Sequence, residues 1–137
     1  MARILCIDYG KKRSGIAVTD PLRIIASGLT TIDTESLIYW LKQYCKTETV
    51  NLVLVGYPLA LDNTATDATP LVNKFLKNFK KVFPELAIET VDEQFTSKMA
   101  TAAMIEMGMK KKDRQKKGNI DELSATIMLQ EYLESLS

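Results

Sequence analysis

The chain has 137 residues, 46% of them hydrophobic and 26% charged, the profile of one ordinary globular domain over residues 1–137 rather than of a disordered or repeat protein. Lys and Arg total 18 against 17 Asp and Glu, a formal net charge of +1, so bulk composition does not mark a nucleic-acid binder and only the distribution of charge can. The absence of His excludes imidazole bases, Ser-His-Asp triads and the usual zinc sites, leaving carboxylates, Lys, hydroxyls or metal to carry any chemistry.

No apolar run approaches the roughly 18 to 20 residues of a membrane helix. The N-terminus opens directly into a strand-like segment without a signal-peptide pattern, so a soluble cytoplasmic protein with no membrane partner is expected. Cys6 and Cys45 both sit in periodic apolar segments, where buried thiols are expected rather than a disulfide, and their spacing excludes Cys-x-x-Cys ligation.

Arg3 to Tyr9 carries Ile4, Leu5, Cys6 and Ile7 in succession, a run suited to a central strand covered on both faces. Gly10, Lys11 and Lys12 read as a tight turn, and Arg13 to Thr19 as the returning strand of a hairpin, which puts Asp8 at the edge of that turn; Asp20-Pro21 closes the second strand. Ile24 to Ile32 is β-rich and completes a three-stranded meander. Asp33 or Thr34 then offers an N-cap to a helix whose Leu37, Ile38, Leu41, Tyr44 and Cys45 share one face. Leu52 to Val55 form a second buried strand within Asn51 to Pro58, ended by Gly56-Tyr57-Pro58.

Leu59 to Thr69 reads as a polar loop and Thr69-Pro70 as a helix start. Leu71, Val72, Phe75, Leu76, Phe79 and Val82 continue that helix until Pro84 halts it. Leu86 to Val91 forms a further strand with Asp92-Glu93 at its end. Thr96 caps a helix carrying Met99, Ala100, Ala103, Met104 and Met107, which Gly108 ends. Lys110 to Asn119, polar and strongly basic, reads as a mobile loop. From Asp121 a last helix presents Ala125, Met128, Leu129, Tyr132, Leu133 and Leu136. The order β-β-β-α-β-α-β-α-α describes an α/β fold: a mixed five-stranded sheet, three antiparallel strands extended by parallel ones, flanked by helices.

Three positions concentrate acid where this fold would gather it. Asp8 ends the most buried strand before a Gly turn. Asp92 and Glu93 end the last strand, and because adjacent strand residues point to opposite faces, one of the two can share a crevice with Asp8. Asp121 aligns by helical spacing with Ser124, Ala125 and Met128, on the face that packs against the sheet. A carboxylate there is costly unless a helix N-terminus or a cation relieves it. Ser124 and Ala125 are small enough to let the helix approach closely.

Carboxylates from separate elements, without His or Cys, suit Mg²⁺ or Mn²⁺ with phosphate and water completing the shell. Two such ions would activate an attacking water and stabilise the leaving oxygen of a phosphodiester without a protein base. Basic residues bracket the acids: Lys11, Lys12 and Arg13 beside Asp8, and Lys110, Lys111, Lys112, Arg114, Lys116 and Lys117 before Asp121. They would draw a phosphate backbone in spite of the near-zero net charge.

These residues carry a resemblance over essentially the whole chain. Ile7-Asp8-Tyr9-Gly10-Lys11-Lys12-Arg13-Ser14-Gly15-Ile16-Ala17-Val18-Thr19-Asp20-Pro21, Leu54-Val55-Gly56-Tyr57-Pro58, Asp92-Glu93-Gln94-Phe95-Thr96-Ser97, and Asp121-Glu122-Leu123-Ser124-Ala125 leading to Leu129-Gln130 resemble the YqgF/RuvX family. The resemblance implies a ribonuclease H-like fold and a metal-dependent endonuclease that trims the 5′ end of pre-16S rRNA, with a Holliday junction as the alternative substrate. It implies catalytic and metal-binding roles for Asp8, Glu93 and Asp121, with Asp92 as the alternative to Glu93. Gln94 stands where the family usually has Arg. A non-catalytic RNA-binding assembly factor is the reading in which the acids only cap helices. Monomer is the expected state.

Overall fold

The computed structural model describes residues 2–57, 69–92 and 117–136. Among them the order is β1 (Arg3–Asp8), β2 (Arg13–Thr19), β3 (Ala26–Asp33), a 3-10 turn (Thr34–Ser36), α1 (Leu37–Thr47), β4 (Val50–Tyr57), α2 (Thr69–Val82), β5 (Ala87–Asp92) and α3 (Lys117–Ser135). The strands form one five-stranded sheet in the order β3-β2-β1-β4-β5. β1 pairs antiparallel with β2 and β2 with β3, while β4 runs parallel to β1 and β5 parallel to β4. This is the mixed five-stranded sheet, three antiparallel strands extended by parallel ones, that the sequence implies, with its most apolar strand at the centre.

Alternation along the strands sorts the core into two halves. Leu5 and Ile7 of β1, Ile16 and Val18 of β2, and Val53 and Val55 of β4 pack against Leu37 and Leu41 of α1 and Val72, Phe75 and Phe79 of α2. The intervening residues Ile4, Cys6, Ala17 and Leu54 pack against Ala125, Met128 and Leu129 of α3. β1 is therefore covered on both faces, which explains its unbroken apolar run. Each buried Val, Leu, Ile, Phe or Met side chain among them contributes ~1.5–3 kcal/mol. Cys6 is buried, Cys45 is half-buried with its thiol pushed up by burial, and no disulfide joins them.

Three boundaries differ from the sequence reading. β3 begins at Ala26, leaving Ile24 and Ile25 exposed, because Asp20 Oδ1 accepts their backbone N–H groups at 2.8 Å each and takes them from the ladder. Arg23 in the same turn has φ 60°. The apolar stripe of α3 fades toward its end, where Leu136 lies beyond the helix and is exposed. α3 itself begins at Lys117, so Lys117, Gly118 and Asn119 are helical rather than loop. A solvated turn needs no apolar stripe, and Lys and Asn are compatible with a helix that packing holds further along. The helix expected over Thr96 to Met107 lies outside the described residues. No helix among the described residues is long and apolar enough to cross a membrane.

Candidate nuclease site

Asp8 ends β1 with the strand parity of Ile4 and Cys6, the residues that face α3. Its neighbours on both sides are glycines. In the antiparallel ladder Asp8 pairs directly with Gly15. On the other side Gly56 follows Val55, the partner of Ile7, and pairs in turn with Val91 of β5. The row across the sheet edge thus puts a carboxylate between two positions without side chains. In a strand interior such glycines weaken packing and mark a place where another group approaches closely. From sequence Gly56 reads as the start of the strand's end and both glycines belong to the family resemblance, whereas β4 runs through Tyr57 and only the register shows that the two flank the acid.

The turn beyond Asp8 is pinned rather than loose. Thr34 donates its hydroxyl to the Gly10 carbonyl at 2.7 Å, so Ser14 Oγ, 2.9 Å away, donates to Thr34. The Thr34 backbone N–H also donates to the Lys12 carbonyl at 2.9 Å. A Cβ on Gly10 would run into the Arg13 carbonyl, which requires glycine in this turn. Lys11, Lys12 and Arg13 are exposed on this fixed loop, at the edge where Asp8 sits.

α3 closes the same face, packing across β1, β2 and β3. Ser124 and Ala125 are buried, as their small size predicts, and Ser124 Oγ has no hydrogen-bond partner among the described residues. Asp121 precedes Ser124 by three residues and Ala125 by four, so the helix places its position over the same face. With α3 starting at Lys117, Asp121 stands a full turn inside the helix. It is not the N-cap that the alternative reading required, and the favourable field of the first turn is already falling there.

β5 runs to this edge beside β4. Glu89 accepts a hydrogen bond from the Tyr132 hydroxyl of α3 at 3.2 Å, and Val91 packs into the α3 half of the core. Asp92 ends the strand, paired with Tyr57. Glu93 and Gln94 lie outside the described residues, as do Lys110, Lys111, Lys112, Arg114 and Lys116. Among the described residues no three His, Cys, Asp or Glu side chains gather as a metal cage. The donors that this face does offer, the Asp8 carboxylate and the buried Ser124 hydroxyl, are hard oxygens of the kind that fit Mg²⁺ or Mn²⁺.

Residues 2–135 match the family model described as "RuvX: Holliday junction resolvase". The chain is 55% identical over 97% of both chains to a Flavobacterium psychrophilum protein named "Putative pre-16S rRNA nuclease". Proteins of the same name from Flavobacterium johnsoniae and Bacteroides thetaiotaomicron are 53% and 50% identical, each over 98% of both chains. Among solved structures, YeaZ from Pseudomonas aeruginosa aligns with a TM-score of 0.46 and 14% identity, over 79% of this chain and 50% of that one.

Proposed function

Because this chain belongs to the RuvX family, we propose that it is a metal-dependent endonuclease that hydrolyses phosphodiester bonds and processes the 5′ end of pre-16S rRNA. The observation that carries the reading is the glycine-flanked Asp8 at the sheet edge, beneath the small residues of α3. A strand-end carboxylate flanked by glycine positions suits the close approach of a polyanion and a cation.

Asp8, Glu93 and Asp121 would hold Mg²⁺ or Mn²⁺, with Asp92 the alternative to Glu93. Bound there, the cation supplies a water nucleophile and neutralises charge on the scissile phosphate. Support for Glu93 is its sequence spacing from Glu89 and Val91, four and two residues earlier, which turn toward α3. β1 and β5 are two strand spacings apart, roughly 10 Å, a span that carboxylates reaching toward a shared cation can close. Asp121, one turn into α3 and three residues before the buried Ser124, would supply the third carboxylate.

The chain's own residues supply position and exclusion. Thr34 and Ser14 hold the Gly10 turn in register, so that Lys11, Lys12 and Arg13 present charge to the phosphates beside the scissile one. Lys110, Lys111, Lys112, Arg114, Lys116 and Lys117 would add to it from the segment leading into α3. The apolar core beneath Asp8 excludes water from one side of the crevice.

The relatives' name supports ribosomal RNA as the substrate, and the family description supports a four-way DNA junction as the second reading. Incubating the protein with a 5′-extended 16S rRNA precursor and with a synthetic junction, each with Mg²⁺, separates them. Cutting at the 5′ extension alone establishes the first, and paired symmetric cuts in the junction establish the second.

A further inference from the structure

We infer that the groove between α1 and α2 is a track for the phosphate backbone of a single nucleic-acid strand, taking that strand as it leaves the Asp8 edge. The inference rests on the nuclease reading and adds a surface to it, on the opposite side of the sheet from α3. The groove encloses about 840 Å³, and Tyr9, Thr34, Lys74, Lys77, Asn78 and Lys81 line it.

The residues of α2 divide by helical spacing. Val72, Phe75 and Phe79 are buried against the sheet, while Lys74, Asn78 and Lys81 follow one another at i, i+4 and i+7 along a neighbouring line, with Lys77 beside them. All four are exposed, and none of the three lysines forms an ion pair with a described residue. Glu35 also lines the groove, so three ammonium groups face one carboxylate there. A merely solubilising face spreads its charge over convex surface. Here the charge converges on a concavity together with neutral donors.

The groove begins one residue from the candidate site, on the other face of the sheet. Tyr9 follows Asp8 in the chain, and its ring leans on Phe75 of α2 with centroids 5.2 Å apart. Thr34, on the groove wall, is the residue bonded to the Gly10 and Lys12 carbonyls. The backbone of the basic turn carrying Lys11 and Lys12 is therefore bonded to the groove wall. From Lys74 to Lys81 the helix advances ~10 Å, about the length of three stacked nucleotides of one strand. A space of this size takes one strand, whereas a duplex would ride over its rim.

The test measures affinity without cleavage. Binding of a fluorescein-labelled single-stranded RNA oligonucleotide is followed by anisotropy in EDTA over a salt series. Wild type is compared with the triple variant Lys74→Gln, Lys77→Gln, Lys81→Gln and with a control triple on exposed lysines outside the groove, Lys42→Gln, Lys46→Gln, Lys80→Gln. The groove variant is expected to lose affinity by about tenfold or more at low salt and to flatten the log-log salt slope by roughly 2, the share of three phosphate contacts on a single strand. The control is expected to stay near wild type. Equal behaviour of the two triples, with wild type binding normally, overturns the track and leaves the nuclease reading standing. A wild type that binds no nucleic acid overturns both.

Discussion

Asp8 and Gly15 face each other across the β1–β2 ladder, so the carboxylate has no side chain opposite it. If the carboxylate reacts at this edge, a methyl group at position 15 crowds it out of its reacting geometry. Gly15→Ala is expected to lower the cleavage rate by about tenfold to a hundredfold, the range that small misplacements of reacting groups produce. The accompanying loss of stability is that of mild overpacking, ~1–3 kcal/mol. Cleavage assays paired with urea unfolding check both, and an unimpaired enzyme would show that the space beside Asp8 is not used.

Thr34 ties two backbone carbonyls and the Ser14 hydroxyl together through one side chain and one N–H. Thr34→Val keeps the shape and removes the hydroxyl, leaving the Gly10 carbonyl and Ser14 Oγ without their partner. The expected cost is ~1–3 kcal/mol in urea unfolding, and Thr34→Ser should recover most of it. Equal stability of the Val and Ser variants would mean that packing, not hydrogen bonding, fixes the turn.

Acid sensitivity is expected at the β2–β3 connection. The Ile25 backbone N–H is the foremost cause of the lowered Asp20 pKa, with those of Ile24 and Leu22 adding to it, against a usual value of 3.8. A depressed carboxylate pKa contributes stability that is present above 3.8 and is lost as pH falls through the folded-state value below it. The melting-temperature advantage of wild type over Asp20→Asn should therefore be constant from neutral pH down to about 5 and shrink steadily below 4. A difference that does not vary with pH would assign the effect to the shape of the turn alone.

The sheet was legible because its strands differ in kind. The unbroken apolar run of β1 needs two covered faces, and α1 and α2 cover one while α3 covers the other. Asp8 was legible as a strand-end acid before a glycine turn. Its setting was not, since Gly15 and Gly56 become its neighbours only through cross-strand register, which one strand's sequence does not encode. The start of α3 was missed because Lys117 to Asn119 carry no apolar signal, although a helix held by later residues extends into them. The lysines of α2 drew no notice for a similar reason. Spacing puts Lys74 and Lys81 on one face, but only tertiary packing sets that face beside Tyr9 and Thr34.

The most direct test of the metal-dependent nuclease reading is cleavage of the 5′-extended 16S rRNA precursor by wild type and by Asp8→Asn, each with Mg²⁺, Mn²⁺ or EDTA, with RNA affinity measured in parallel. The reading predicts cutting that EDTA abolishes and that Asp8→Asn reduces to about one hundredth or less, since losing a metal ligand costs more than the tenfold to hundredfold of an outer-shell change, while the variant folds and binds RNA as wild type does. Full cleavage by Asp8→Asn, or cutting that persists in EDTA, would contradict it.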